Sequence, residues 1–540
     1  MNAIINSVIK GKEEPVDIQL FDVEKCFDSL WVEECINDAF EAGLDNDKLP
    51  LLFLENQNAE CAVKINNRIS RRRSISNIIM QGTVFGSLLC TTTMDQLGKL
   101  CYQDENLLYK YKGKVQVPTL GMVDDLLSVT KCSDALQSNI VTNAFIEMKK
   151  LKLGANKCSR IHIGKKNCNC KELKVHTEIM KNSVKEMYLG DYITPVGGTK
   201  DTISDRVAKG YGLLNEIKAI IQEIPLGKYK VDIGLKLRQA ILINGLLYNS
   251  EAWHSINMKD IIQLEKIDNI LLRFLLGCPA KTPTEFLFLE TGSIPIRFIL
   301  SSRRINYLHT ILSRGKDELT RRVLEAQLES PISGDFADLV LKDLQMIDFP
   351  INLSNIKHYT PIRFKDEVKT RIRTAAFKYL RQLQSEHTKT KTLEYEMLKV
   401  QSYLKSSQFS NAEANLLSLL RSRMHTQFKS NFRNAITNDT FCPLNCNEET
   451  GEKLFDTQEH LMHCQKVISN IDEDLMEMTK SSIQYSDIFS NDETKLKKFV
   501  IIYSKLLETK QFLVENPGFL DPCTDPVKSC AMDVYDVFVY

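Results

Sequence analysis

The stretch TLGMVDDLLSVT, residues 119–130, sets two adjacent aspartates, Asp124 and Asp125, inside an otherwise apolar ribbon. Two carboxylates a few ångströms apart repel by about 4 kcal/mol at an effective dielectric near 20. A chain keeps such a pair where a cation offsets the repulsion, where one proton is shared, or where one of the two faces water at a turn. The flanking apolar residues predict a tight hairpin with the aspartates at its turn.

A third carboxylate lies about a hundred residues upstream. In PVDIQLFDVEKCFDSLW, Val16, Ile18 and Leu20 alternate onto one face of a predicted strand, and Asp22 falls next on that face. If this strand lies beside the hairpin, three carboxylates can hold two divalent ions about 4 Å apart. Such a pair activates an attacking hydroxyl and stabilises a leaving oxygen in phosphoryl transfer, and oxygen-only donors favour Mg²⁺. No convincing nucleophile–histidine–acid triad is present.

The surrounding pattern mixes strands and helices, an α+β unit over residues 1–200. A helix follows Asp22, capped by Asp28 or Ser29, with Leu30, Cys35, Ile36, Ala39 and Phe40 as its apolar stripe and Gly43 at its end. Residues 60–66 read as a strand, 83–100 as a helix, and 159–164 and 186–194 as short strands. Ser133 is the expected cap of a further helix whose stripe is Leu136, Ile140, Ala144, Met148 and Leu151, closed by Gly154. After Asp201 the chain turns mostly helical, most clearly over 234–253 and 260–277, with 280–296 expected to be a loop with short turns.

Formal net charge is +1 over 540 residues, but it is unevenly spread. Residues 360–433 hold 15 Lys/Arg against 6 Asp/Glu, and 447–540 hold 9 against 18. A basic middle beside an acidic end suggests a polyanion surface that the end does not share, or else solvated helix faces. The 15 cysteines show no disulfide-framework spacing, which fits a reducing, intracellular compartment. No signal-peptide core and no run of about 18 apolar residues is present, so neither secretion nor a spanning helix is expected.

One cysteine cluster does have ligand spacing. In FCPLNCNEETGEKLFDTQEHLMHC, Cys442 and Cys446 are four apart, as are His460 and Cys464 on a segment that reads as helix. Three thiolates and an imidazole suit tetrahedral Zn²⁺, with His463 as a substitute ligand, and zinc would be needed to fold so small a module.

Five segments occur in a telling order: FDVEKCFDSLW (21–31), MQGTVFGSLLC (80–90), GMVDDLLS (121–128), LKLGANKCSRIHIG (151–164) and EMYLGDYI (186–193). In order and spacing they resemble the palm domain of reverse transcriptases of the non-LTR retrotransposon type, over residues 16–195 and more loosely to about 310. The resemblance implies an α+β palm with an antiparallel sheet and packed helices over 1–200. A helical thumb (201–310), a basic helical region (311–435), a zinc-knuckle-like module (436–470) and an acidic tail region (471–540) follow. It implies RNA-directed DNA polymerase activity with two Mg²⁺, a structural Zn²⁺, and RNA template, DNA primer and deoxynucleoside triphosphates as partners, in the nucleus or cytoplasm.

Carried over by position, Asp22, Asp124 and Asp125 resemble the metal-binding aspartates, and the Val23 carbonyl completes such a site. Phe27 falls where a bulky residue excludes a 2′-hydroxyl. Gln81 and Gly82 fall on the motif that contacts template and nucleotide. Lys157 matches the lysine that protonates leaving pyrophosphate, and residues 186–193 match the primer-gripping hairpin. Arg71, Arg72 and Arg73, with Lys64 and Arg68, form a basic patch suited to backbone phosphates. The sequence departs from the family in three places. Only 21 residues precede Asp22, so the fingers region is expected to be missing. Gly86 and Ser87 stand where Ser-Pro is common, and Met-Val precedes the double aspartate. A truncated, non-catalytic remnant that grips nucleic acid through its basic helices and zinc module is the competing reading, and an RNA-dependent RNA polymerase, against which Phe27 argues, is a third.

Overall fold

Residues Val16–Asp22 form β1, the middle strand of a five-stranded sheet. With β2 (Leu120–Met122), β3 (Asp125–Lys131), β4 (Ser159–Ile163) and β5 (Lys181–Asn182), the order is β5-β4-β1-β3-β2. The first four strands in this core pair antiparallel, as expected. The edge strand β5 runs parallel to β4, so the sheet is mixed and not wholly antiparallel. The ladder of Lys174–Val175 with Glu178–Ile179 intervenes between the two and returns the chain in β4's direction. This computed structural model describes all residues except 57–59, 76–78, 80–82, 84, 165–170, 224–229, 351–352, 429–439, 447–453, 482, 491 and 520–540.

Alternation along β1 divides two cores. Val16, Ile18 and Leu20 join Leu127, Val129, Ile161 and Ile163 in one cluster, closed by the hairpin strands Tyr109–Tyr111 and Val115–Val117. Phe21 and Leu126 face the other way, into a cluster with helix α1 (Gly86–Gln103) and helix α2 (Ala135–Met148). Gln19 on that face donates to the Ala135 carbonyl at 2.8 Å, and the Ser128 and Ser138 hydroxyls meet at 2.7 Å.

Several local expectations are corrected. Helix α2 buries Ala135, Ser138, Asn139, Thr142, Phe145 and Ile146, while Ile140 and Met148 of the expected stripe are more than half exposed. Polar residues with specific partners take the inward face, which an apolar count cannot find. Its N-cap is Asp134 without a capping side-chain bond, and Ser133 instead donates to the Asp134 carboxylate. The expected strand over 60–66 is two separate two-residue strands, Glu60–Cys61 and Lys64–Ile65, in an exposed ribbon. Phe40, expected on a buried stripe, is half exposed. The expected loop at 280–296 contains a helix, Thr284–Thr291, buried at every position from Glu285 on. Burial on all sides leaves no 3.6-residue period to detect. Residues 234–253 are interrupted by a π-turn at Arg238–Ile243, where the buried Arg238 guanidinium pairs with Asp268 at 2.6 Å.

The chain divides into two units. One comprises Met1–Lys209, Leu246–Leu264 and Arg297–Ile372, and the other Gly210–Gly245, Glu265–Ile296 and Arg373–Tyr540. The second is helical and centres a buried Glu290 that accepts from Arg421 at 2.8 Å and from the Tyr395 and Tyr403 hydroxyls at 2.6 and 2.8 Å. Its long helix Glu493–Glu515 buries Leu496, Phe499, Val500 and Tyr503. Among the described residues no helix is long and apolar enough to cross a membrane.

Candidate active site and metal centre

Strand pairing brings two of the three aspartates into register. Asp22 ends β1 opposite Asp125, the first residue of β3. Side-chain alternation places both on the face of Leu20 and Leu127. Pairing of Met122 with Asp125 leaves Val123 and Asp124 as the two turn residues. Val123 adopts φ +61, a left-handed conformation that costs a β-branched residue of order 1–3 kcal/mol. The hairpin tip is thus strained where the acids sit.

The segment after α2 closes the site from the other side. Val23 bridges to Leu153, Glu24 N–H donates to the Lys152 carbonyl at 2.8 Å, and Gly154 N–H donates to the Asp22 carbonyl at 2.9 Å. The Asp22 N–H lies 3.5 Å from the Cys158 thiol. Lys157 reaches the Asp22 carboxylate, Nζ lying 3.4 Å from Oδ1 and 3.1 Å from Oδ2. Asp22 Oδ2 is buried and has no hydrogen bond. Asp125 is an exposed residue, yet partial loss of water around its carboxyl, with the charges of Asp124 and Asp22, raises its pKa; Lys157 opposes the rise. Burial and then the charge of Asp125 push the Tyr188 phenol, in the hairpin strand Glu186–Tyr188, up to about 12. Asp22, Asp124, Asp125, Lys157 and Tyr188 therefore share one electrostatic neighbourhood.

Phe27 and the basic patch lie in the same unit. Phe27 is half-buried against the α1–α2 core, and its carbonyl accepts from Ile79 N–H at 2.9 Å. The patch of Lys64, Arg68, Arg71, Arg72 and Arg73 lies on the exposed ribbon, with Arg72 3.6 Å from Glu60. Gln81 and Gly82 lie outside the described residues. Gly154 does not end α2, which stops at Met148; it packs against the site instead, a Cβ there standing 3.2 Å from Asp22 Oδ2. Tyr188, within the expected primer-gripping hairpin, adds a phenol near Asp125. Among the described residues, only two groups bring three or more candidate ligand atoms within 4.8 Å of one another, and the aspartates are not one of them.

One of those groups is the cysteine cluster. Ligand atoms of Cys442, Cys446, His460 and Cys464 all lie within 4.8 Å of one another, with Cys446 Sγ 3.2 Å from His460 Nε2. A bridge between Phe441 and Phe455, with stacked rings, presents Cys442. The expected single helix is broken: Gln458–Leu461 carries His460, and Cys464 begins the next turn, Gln465–Ile468. His463 is exposed and outside the group. Interaction with Cys464 and His460 pulls the Cys442 thiol down to about 3, while the Cys464 thiol is raised. A set of three sulfurs and one imidazole nitrogen within mutual reach fits Zn²⁺. The helix Glu493–Glu515 buttresses the cluster through a buried Lys510–Asp456 pair at 2.7 and 2.9 Å.

Residues 10–191 match the family model described as reverse transcriptase (RNA-dependent DNA polymerase). That segment, about a third of the chain, is similar to a reverse transcriptase domain. The matched segment contains β1, the Val123–Asp124 turn and the Lys157 contact, so the reverse-transcriptase-like fold and its mixed sheet coincide with the aspartate neighbourhood. No curated protein matches the chain. Among solved structures it is similar to apo telomerase from Candida Tropicalis at 13% identity and a TM-score of 0.31, over 68% of this chain. The chain covers about half, 55%, of that structure.

Proposed function

We propose that the reverse transcriptase domain is an RNA-directed DNA polymerase of the non-LTR retrotransposon type, extending a primer 3′-hydroxyl with deoxynucleoside triphosphates on an RNA template inside the cell. The observation that carries this is the register of Asp22 against Asp125 beside the Val123–Asp124 turn, inside the matched segment.

The donor types fit a divalent pair. All are hard oxygens, Asp22 Oδ2 is buried without a hydrogen bond and meets only the ion pair of Lys157, and partial burial, with the charges of Asp124 and Asp22, raises Asp125. Asp22, Asp124 and Asp125, with the Val23 carbonyl, would hold Mg²⁺, which when bound offsets charge on the reacting phosphate and hydroxyl. Lys157, an ammonium already beside Asp22, is placed to neutralise or protonate the leaving pyrophosphate. Phe27 presents a half-buried ring against which a deoxyribose fits and a 2′-hydroxyl does not. The exposed basic ribbon would grip template phosphates. The cysteine cluster would hold a structural Zn²⁺ in a knuckle-like module.

Primer extension on poly(rA)/oligo(dT) with Mg²⁺ tests the reading. Incorporation by the natural chain and its loss in Asp124→Asn support it; no incorporation with retained RNA binding favours a nucleic-acid-binding remnant. Two observations favour that second reading: Lys157 occupies the space beside Asp22, and the three carboxylates do not bring ligand atoms within 4.8 Å of one another.

A further inference from the structure

The second group of converging ligand atoms lies elsewhere in the reverse transcriptase domain. Asp17 in β1 pairs with His162 in β4 and with Thr130 in β3. Cys132, two residues beyond Thr130, falls on the same face. That face is opposite to Asp22, and the five-residue step from Asp17 to Asp22 separates them by roughly 17 Å. Asp17 Oδ1, Cys132 Sγ and a His162 ring nitrogen lie within 4.8 Å of one another. Asp17 is fully buried; His162 and Cys132 are partly open to solvent.

The contacts are unusual for a purely hydrogen-bonded cluster. His162 Nδ1 is 3.2 Å from Asp17 Oδ1 and 3.4 Å from Cys132 Sγ. One ring nitrogen offers a single hydrogen or a single lone pair, so both contacts cannot be full hydrogen bonds at once. A cation accepting one lone pair from each of the three atoms removes that conflict. Zinc bonds of about 2.0–2.3 Å at tetrahedral angles give ligand–ligand edges of about 3.3–3.6 Å. Both separations are close to that range, as is the 3.2 Å edge between Cys446 and His460. Arg160 holds the Asp17 carboxylate at 3.0 and 2.5 Å and is itself buried. Such a donor orients a ligating carboxylate and offsets its charge.

We infer that Asp17, Cys132 and His162 supply three ligands, among the described residues, to a site for a divalent transition metal, best suited to Zn²⁺. The ion clamps β1 to both β3 and β4, the strands that set the register of Asp22 and Asp125. Its chemistry is independent of the polymerase reading and of the Cys442–Cys464 cluster.

Elemental analysis of the full chain, after gel filtration in metal-free buffer, reads the site directly. The natural chain should carry one more zinc equivalent than Cys132→Ser or His162→Ala. Cys446→Ser should leave that equivalent in place. In the Cys446→Ser background a chelator should lower Tm by several degrees, a shift that adding Cys132→Ser abolishes. Where His162→Ala does not fold, the near-isosteric Cys132→Ser carries the comparison. Equal zinc content in the natural chain and Cys132→Ser, or a chelator shift that survives Cys132→Ser, would overturn the site.

Discussion

Replacing Gly154 with Ala separates the placement of the Asp22 carboxylate from the stability of the domain. An alanine Cβ would stand 3.2 Å from Asp22 Oδ2 and 3.3 Å from Glu24 Cγ, so these groups must yield by a few tenths of an ångström. Gly154 does not occupy the left-handed region, so the backbone accepts alanine. Loss of unfolded-state freedom then favours the folded variant by about 0.4–1 kcal/mol. Crowding against Asp22 and Glu24 costs about 1 kcal/mol, at the low end for overpacking. The two nearly cancel, and Tm should move by no more than a few degrees. Catalysis is less forgiving: a misplacement of about 1 Å costs about a hundredfold, so about 0.3 Å should cost about fourfold. Steady-state primer extension on poly(rA)/oligo(dT), with a thermal scan on the same preparations, measures both. A fall in kcat/KM of about two- to tenfold at nearly unchanged Tm is expected, with Asp22→Asn inactive. Natural rates in Gly154→Ala would show that Asp22 is not a positioned catalytic carboxylate, and a large drop in Tm would show a structural glycine instead.

Asp125→Asn should abolish incorporation yet, without divalent ions, raise stability by about a few tenths of a kcal/mol, since it removes a charge that is partly desolvated and repelled by Asp124 and Asp22 at a solvent-screened position. The sign follows from linkage: a carboxyl raised in the fold binds its proton more tightly there, so its contribution to stability grows as pH falls through the raised pKa. Thermal scans with and without Mg²⁺ at pH 7 and pH 5 would show the gap between natural chain and variant narrowing at the lower pH. Phe27→Ala should admit ribonucleotides, read as a rise of at least tenfold in relative rGTP over dGTP use on a poly(rC) template. Lys510→Met strands a buried Asp456 and should cost about 3–5 kcal/mol in denaturant unfolding, most of which Asp456→Leu restores in the double variant.

The aspartate neighbourhood was legible because its signals are local and periodic. Alternation put Asp22 on the face of Leu20, and the flanking apolar runs put both aspartates at a hairpin turn; the structure shows the two strands adjacent, with Val123 and Asp124 as the turn and Asp125 opening β3. The fours of Cys442–Cys446 and His460–Cys464 converge although the helix that was to carry the second pair is broken. What could not be seen shares one cause: the partner is distant or the pattern has no period. The helix Thr284–Thr291 is buried all round and so lacks a stripe. Helix α2 turns Ser138 and Asn139 inward because Ser128 and the Lys174 backbone supply partners that no local window contains.

The same reasoning bears on which aspartates matter. Asp17 and Asp22 stand on one strand, five residues apart, and composition cannot tell them apart. Burial and partners do. Asp17 is fully enclosed and its charge is met by Arg160 through two bonds, whereas Asp22 keeps a third of its side chain exposed and meets only a mobile-stemmed Lys157. A lysine ammonium is a point charge on a flexible stem that a stronger cation can displace, while a two-bond guanidinium stays with its carboxylate. Asp22 is therefore the acid able to exchange its cation, and Asp17 the one fixed in place. The strand that joins them carries a replaceable charge at its rim and a permanent one at its root.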